Sequence, residues 1–116
     1  MSYERFQVLR VPFPFTDRVA VKHRPALVLS DGKHFNQSAG HAVMAMITSA
    51  GNPSWPLDVQ IEDLQAAGLP AASMVRFKLF TLDHRLVVGV LGMLAAVDQA
   101  NVVDALELLL GTAHDP

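Results

Sequence analysis

Gln7 to Ser30 reads QVLRVPFPFTDRVAVKHRPALVLS, and its prolines and apolar runs decide the architecture. Leu9, Val11 and Phe13 share one face, with Gln7 at its start and Arg10 opposite, which predicts a strand over 7–13. Pro12 and Pro14 lack the N–H that a ladder uses, so pairing is expected to stop there and residues 14–24 to leave the sheet as a loop. Pro25 to Ser30, PALVLS, is a continuous apolar run of the kind expected in a short strand buried on both faces.

Outward from this stretch, Asp31-Gly32 is a break, and the polar residues up to Gly40 read as a long turn or loop. His41 to Thr48 predicts a third strand, with Met44, Met46 and Thr48 on one face and Val43, Ala45 and Ile47 on the other. Leu57, Val59 and Ile61 alternate with Asp58, Gln60 and Glu62, the pattern of a half-exposed antiparallel strand. Leu64 to Gly68 suits one short helical turn closed by Gly68-Leu69-Pro70. Ser73 to Leu79 alternates again, with Val75, Phe77 and Leu79 inward and Met74, Arg76 and Lys78 outward. Arg85 to Leu91 reads as the last strand. Asp98 is then expected to cap a helix in which Val102, Leu106 and Leu109 recur at helical spacing up to Gly111. Four strands and no helix longer than about two turns are expected over residues 8–61, and 98–110 should be the longest helix. This is a mainly β, α+β pattern: a small, strongly bent antiparallel sheet or barrel with a C-terminal helix packed on it.

The chain has 116 residues, 51% of them hydrophobic and 17% charged, which suits one domain spanning 1–116 with a packed core. It contains no cysteine, so disulfides, thiolate zinc sites, iron–sulfur clusters and thiol nucleophiles are all excluded. The N-terminal residues lack a signal-peptide layout, and the apolar run from Leu86 to Val97 is too short to span a bilayer. A cytoplasmic home without membrane association is the expectation. The net charge of −2 argues against a generic nucleic-acid binder, but its distribution is uneven: residues 1–33 carry +3, 34–75 carry −3, 76–85 carry +2 and 86–116 carry −4. If the two basic stretches meet in space they form a basic patch on an acidic protein; otherwise they are scattered solvated charge.

The five histidines never fall at helical i, i+4 spacing and no H-E-x-x-H occurs, so no metal site is predicted. Phosphate-cradling glycine loops and a G-x-S-x-G elbow are absent as well. What remains is a set of anion-binding candidates. Arg24 precedes Pro25, which restrains its backbone at a loop-to-strand boundary and aims a guanidinium that can grip a phosphate bidentately. Thr48 and Ser49 end a strand before a Gly51-Asn52-Pro53 turn; such hydroxyls often merely cap the turn. Arg76 and Lys78 lie two apart on one strand and point the same way, suited to adjacent phosphates or to a plain solvated face.

Val11-Pro12-Phe13-Pro14-Phe15-Thr16-Asp17 followed by Arg24-Pro25-Ala26-Leu27-Val28-Leu29-Ser30 resembles the opening of the MazF/PemK family of bacterial toxins. The likeness continues through Ile47-Thr48-Ser49, Trp55-Pro56-Leu57, Leu69-Pro70 with Ser73-Met74-Val75-Arg76, and Leu91-Gly92. It implies an SH3-like barrel, a homodimer, and a metal-independent endoribonuclease that inhibits growth by cutting single-stranded mRNA and is neutralised by an antitoxin protein. It also implies catalytic roles for Arg24 and Thr48 and no cofactor; the basic stretches around Arg18 to Arg24 and Arg76 to Arg85 are then expected to form the RNA groove, with Arg18, Lys22, Ser49, Arg76 and Lys78 binding RNA. The reaction would be attack of a ribose 2′-OH on its own phosphate. Arginine is too basic to act as the base, and neither His23 nor His84 is assigned that role. Two positions depart from the family: Phe6-Gln7 stands where many relatives have Gly-Asp, and Lys78 where some have an aspartate, which removes both carboxylates from any mechanism here. The alternatives are a non-enzymatic barrel toxin that binds DNA gyrase, as in the related CcdB group, or an inert interaction module.

Overall fold

Most side chains along residues 8–11, 26–29 and 42–47 are buried, which a strand achieves only when both of its faces are covered. The computed structural model describes residues 2–13 and 22–113. Its strands are β1 (Gln7–Phe13), β2 (Lys22–Val28), β3 (His41–Ser49), β4 (Val59–Gln60), β5 (Ser73–Asp83) and β6 (Gly89–Met93). They form one antiparallel sheet in the order β4-β5-β3-β2-β1-β6, curled into a half-barrel. Val8, Leu27, Ala45 and Ile47 face one core, with Val102 and Ala105 from the C-terminal helix α3 (Ala96–Leu110). Leu9, Val11, Ala26, Val28, Ala42 and Met44 face a second core with Tyr3 and Leu82. The architecture is therefore the mainly β sheet with a C-terminal helix that the alternation predicts, and α3 is the longest helix.

Several boundaries differ from expectation, each for a definable reason. Pro12 does not stop the β1–β2 ladder, which runs on to pair Pro12 with His23 and Phe13 with Lys22. The Arg10 carbonyl accepts from Val88 N–H on the β6 side, so two residues on the Pro12 nitrogen faces that same side, where pairing has already ended. Hence β2 begins at Lys22, earlier than Pro25. Residues 31–40 are helical, a π-helical turn (Gly32–Asn36) running into α1 (Gln37–Ala39), and not a loop. Asp31 caps this turn by accepting from His34 N–H, and fully buried Asn36 donates to the Tyr3 and Ser30 carbonyls.

Strand β4 is only two residues long, paired with Val75 and Met74. On β5 the register slips between Arg76, opposite Met46, and Leu79, opposite Ala45, which reverses the facing of everything beyond. Leu79 is accordingly exposed, while Leu82 is buried in the second core. The last strand starts at Gly89, since His84–Leu86 form a 3-10 turn. Asp98 is not a helix cap: α3 starts at Ala96, and Asp98 is fully buried, accepting from Glu62 N–H at 2.8 Å and Asp63 N–H at 3.0 Å. Leu109 is exposed.

Two glycines set the closest approach in the fold. Gly68, at φ +72, ends α2 (Leu64–Ala67), and a Cβ there would fall 2.0 Å from the Leu91 carbonyl oxygen on β6. A Cβ on Gly92 would fall 2.4 Å from the Ala66 carbonyl oxygen. Since both obstacles are backbone, Gly92→Ala should cost at least the ~1–3 kcal/mol typical of overpacking, which is a Tm loss of roughly 5 °C or more in thermal unfolding. Gly89, with nothing within 4 Å of its Cβ position, is the control: Gly89→Ala should leave Tm almost unchanged.

Candidate functional site

The Leu29 N–H donates to the Val43 carbonyl, so the alternate residues Leu27 and Pro25 also turn their backbone toward β3. Pro25 has no N–H to give. The β2–β3 ladder stops one residue earlier, at Ala26 opposite Met46. Carried two residues further, the same register sets Arg24 opposite Thr48, with the strands no longer joined between them. An open pocket of about 200 Å³ occupies this place, lined by Arg24, Pro25, Thr48 and Ser49 and walled by Leu69 to Ser73. Arg24 lies 5.3 Å over the Phe13 ring, which supports its guanidinium from β1. Among the described residues it forms no ion pair.

Thr48 Oγ1 accepts from the Asn52 side-chain amide at 2.6 Å. That occupies one lone pair and leaves the hydroxyl proton to donate elsewhere. Ser49 Oγ accepts a long bond from Gly51 N–H, as a turn-capping hydroxyl does. Asn52 was not singled out by sequence; the only hint was its place inside the Gly-Asn-Pro turn.

The loop from Ala50 to Asp58 is held by a buried ion pair. Arg76 Nε donates to Asp58 Oδ1 at 3.2 Å, and its Nη2 donates to Asp58 Oδ2 at 2.9 Å and to the Pro53 carbonyl at 2.6 Å. Both side chains are about 90% buried, at 11% and 9% exposure. The Arg76 guanidinium is thus engaged within the protein, whereas Lys78 places its ammonium 4.5 Å from the centroid of the Trp55 ring. Asp58 also accepts from Trp55 N–H, and Asp58 N–H donates back to the Trp55 carbonyl. This bond, Pro56 at the second position and a φ of +65° at Leu57 give the turn the features of type II. Glycine normally fills the third position; a leucine there stores on the order of 1–3 kcal/mol of strain.

Arg18 lies outside the described residues. Lys22 and His23 are exposed at the start of β2, and alternation turns His23 away from Arg24. His84, edge-on to Tyr3, follows the end of β5 beside His41, seven residues along β3 from Thr48 and so roughly 23 Å away. The structure thus joins Arg24 with Thr48 and Ser49, and sets Arg76 and Lys78 with Trp55 on the next strand. No group of three or more metal-ligating side chains occurs among the described residues. A larger cleft of about 770 Å³, lined by Asp58, Gln60, Glu62 and Asn101, brings carboxylates and no cation to its wall, which ill suits an anionic ligand. Among the described residues no helix is long and apolar enough to cross a membrane.

Comparison with known proteins adds a family and a fold. The model of the PemK-like, MazF-like toxins of type II toxin–antitoxin systems matches residues 4–110. No curated protein matches the chain. Among solved structures, a mycobacterial endoribonuclease in complex with its cognate antitoxin superimposes with a TM-score of 0.74 at 18% identity, covering 98% of each chain. A MazE–MazF complex from Deinococcus radiodurans gives a TM-score of 0.74 at 22% identity over 97% of this chain and 99% of its own. The Mycobacterium tuberculosis toxin MazF-mt6 gives 0.71 at 16% identity over 93% and 99%.

Asp58 provides a pH test of the loop. Burial pushes its carboxyl up, but the Arg76 hydrogen bonds, the Trp55 N–H and the Arg76 charge outweigh burial and hold it below the ordinary value. A lowered carboxyl stabilises the folded loop fully above its unfolded pKa of about 4, and that contribution is lost as pH falls through the folded value. Trp55 is the single tryptophan, so its emission should be constant from neutral pH to about pH 4 and shift below it. In Asp58→Asn the shift should already be present at pH 7 and the acid step gone.

Proposed function

Because this chain belongs to the PemK-like, MazF-like family of toxins of type II toxin–antitoxin systems, we propose that it is an endoribonuclease that cuts single-stranded mRNA without a metal cofactor and so inhibits growth. The observation that supports this reading most is Arg24 set opposite Thr48 where Pro25 ends the ladder. Attack of a ribose 2′-OH on the adjacent phosphate builds negative charge on the phosphorane oxygens and leaves a cyclic phosphate and a 5′-OH. Arg24 can donate two parallel bonds to those oxygens, and Thr48, its lone pair held by Asn52, can donate a third. Ser49 lines the same opening, and Lys22, Arg76, Lys78 and Arg18 are assigned from their charge to the path of the RNA backbone. We also propose a homodimer and a separate acidic, apolar antitoxin segment, both acting in the cytoplasm. Exposed Val88, Val90 and Met93 at β6 are apolar surface for such partners.

The test is the initial cleavage rate on a fluorogenic RNA, in the presence of EDTA, with thermal unfolding recorded for each variant. Arg24→Ala should slow cleavage by roughly a hundred- to a thousandfold while Tm is kept. Arg24→Lys should rescue little, since the planar fork is lost. Thr48→Ala should act in the same direction and Thr48→Ser should retain most activity. Asn52→Ala, which removes one orienting bond, should cost about tenfold. A well-folded Arg24→Ala that cuts near the parent rate would falsify the assignment.

A further inference from the structure

Trp55 is 42% exposed although the whole of its loop is fastened down. Prolines stand on both sides of it, at 53 and 56. Its N–H and carbonyl are both bonded to Asp58, and Asp58 is locked to Arg76. An indole held this firmly at the surface has already lost the freedom that a ligand would otherwise have to remove. Its surroundings are cationic: Lys78 Nζ is 4.5 Å and the Arg76 guanidinium 6.0 Å from the ring centroid. A large aromatic ring with an exposed ammonium over it matches an unpaired nucleobase and its phosphate, since bases stack on aromatic rings and phosphates seek cations.

Its place in the sheet fits this occupant. Alternation puts Arg24, Met46 and Thr48 on one face of β2 and β3, and Arg76 joins that face opposite Met46. Arg76 is therefore two strand spacings, about 10 Å, from the strand that carries Arg24. The loop that bears Trp55 also bears Asn52, which holds Thr48. A strand of RNA with its reacting phosphate at Arg24 and Thr48 therefore has a neighbouring nucleotide within reach of the indole.

We propose that Trp55 is a stacking platform for an unpaired base of the RNA next to the cleaved phosphate, with Lys78 taking the phosphate of that nucleotide. This rests on the endoribonuclease reading above. The platform contributes affinity and selects for unpaired RNA at one position beside the cut, because a base inside a duplex has no free face to offer.

The test uses the full chain and its single tryptophan. A single-stranded 2′-O-methyl hexanucleotide, which has no nucleophile and cannot be cut, is titrated into the parent and followed by Trp55 emission and, with a dye label, by polarisation. Strong quenching is expected with the hexanucleotide, and much less with the same backbone made abasic at each position in turn, one position standing out. Trp55→Ala should weaken binding about five- to a hundredfold and raise KM in RNA cleavage more than it lowers kcat. Trp55→Phe should retain most of the affinity, and Lys78→Ala should reduce the salt dependence of binding. Binding that leaves Trp55 emission unchanged, or abasic strands that quench as well as the parent strand, would overturn the platform while leaving the nuclease reading intact. So would an acidic peptide that quenches where the hexanucleotide does not, which would assign the indole to a protein partner. Failure of the parent both to cut RNA and to bind the hexanucleotide would overturn both proposals.

Discussion

Pro25 offers no N–H to the strand beside it, and the ladder between β2 and β3 ends with Ala26 opposite Met46. The residues before it, Lys22 to Arg24, stay in the sheet only through their other edge, where β1 pairs with them as far as Phe13. One missing donor therefore parts two central strands at one end and leaves them joined at the other. Arg24 and Thr48 face each other across that parting with their backbones already ordered. Closure of the pocket by continued pairing would need a donor that proline lacks. The two cores hold the joined end together, so the open end can be polar without loosening the domain.

The second organising contact is the Arg76–Asp58 pair. It is nearly buried and bidentate, Arg76 Nε and Nη2 each donating to one Asp58 oxygen, the arrangement in which losing one partner is far more costly than the pair is stabilising. Its role is local order. Through Pro53, Trp55 and Asp58 it ties down a nine-residue connection, from Ala50 to Asp58, that has no regular structure of its own. The same connection supplies Asn52 to Thr48 and holds Leu57 at a φ of +65°, a conformation an isolated leucine would avoid. Phe6, at φ +73°, shows the same substitution of packing for conformational ease: its backbone bonds to Val28 and Leu94 and its ring packs on the core.

Alternation and punctuation in the sequence located all six strands and all the main helices except the one at 32–39, because strand periodicity is a local property that burial enforces residue by residue. They misjudged what depended on a neighbour. Pro12 reads as a ladder breaker until one sees that its nitrogen faces the side where pairing has ended. Leu79 reads as core until a register slip on β5 turns it outward. Asp98 reads as a helix cap, yet it is a buried acceptor for two N–H groups 35 and 36 residues away in sequence. The polar run after Asp31 reads as a loop because its helical turn is stabilised by Asn36 reaching back to Tyr3, 33 residues earlier.

For the site the division is sharper. The Arg-Pro pair, the Thr-Ser strand end and the basic spacing of Arg76 and Lys78 are visible in the linear chain, and so is the family they resemble. Sequence by itself determined the chemical inventory and the strands that carry it, since residue type and period-2 pattern need no partner to be read. Tertiary structure decided the pairings: that Arg24 meets Thr48, that Arg76 spends its fork on Asp58 and Pro53, and that Trp55 stands exposed beside Lys78. Each of these joins residues 18 to 24 positions apart through a register or a turn. Register is set by the balance of packing over the whole sheet, which no local stretch of the chain contains.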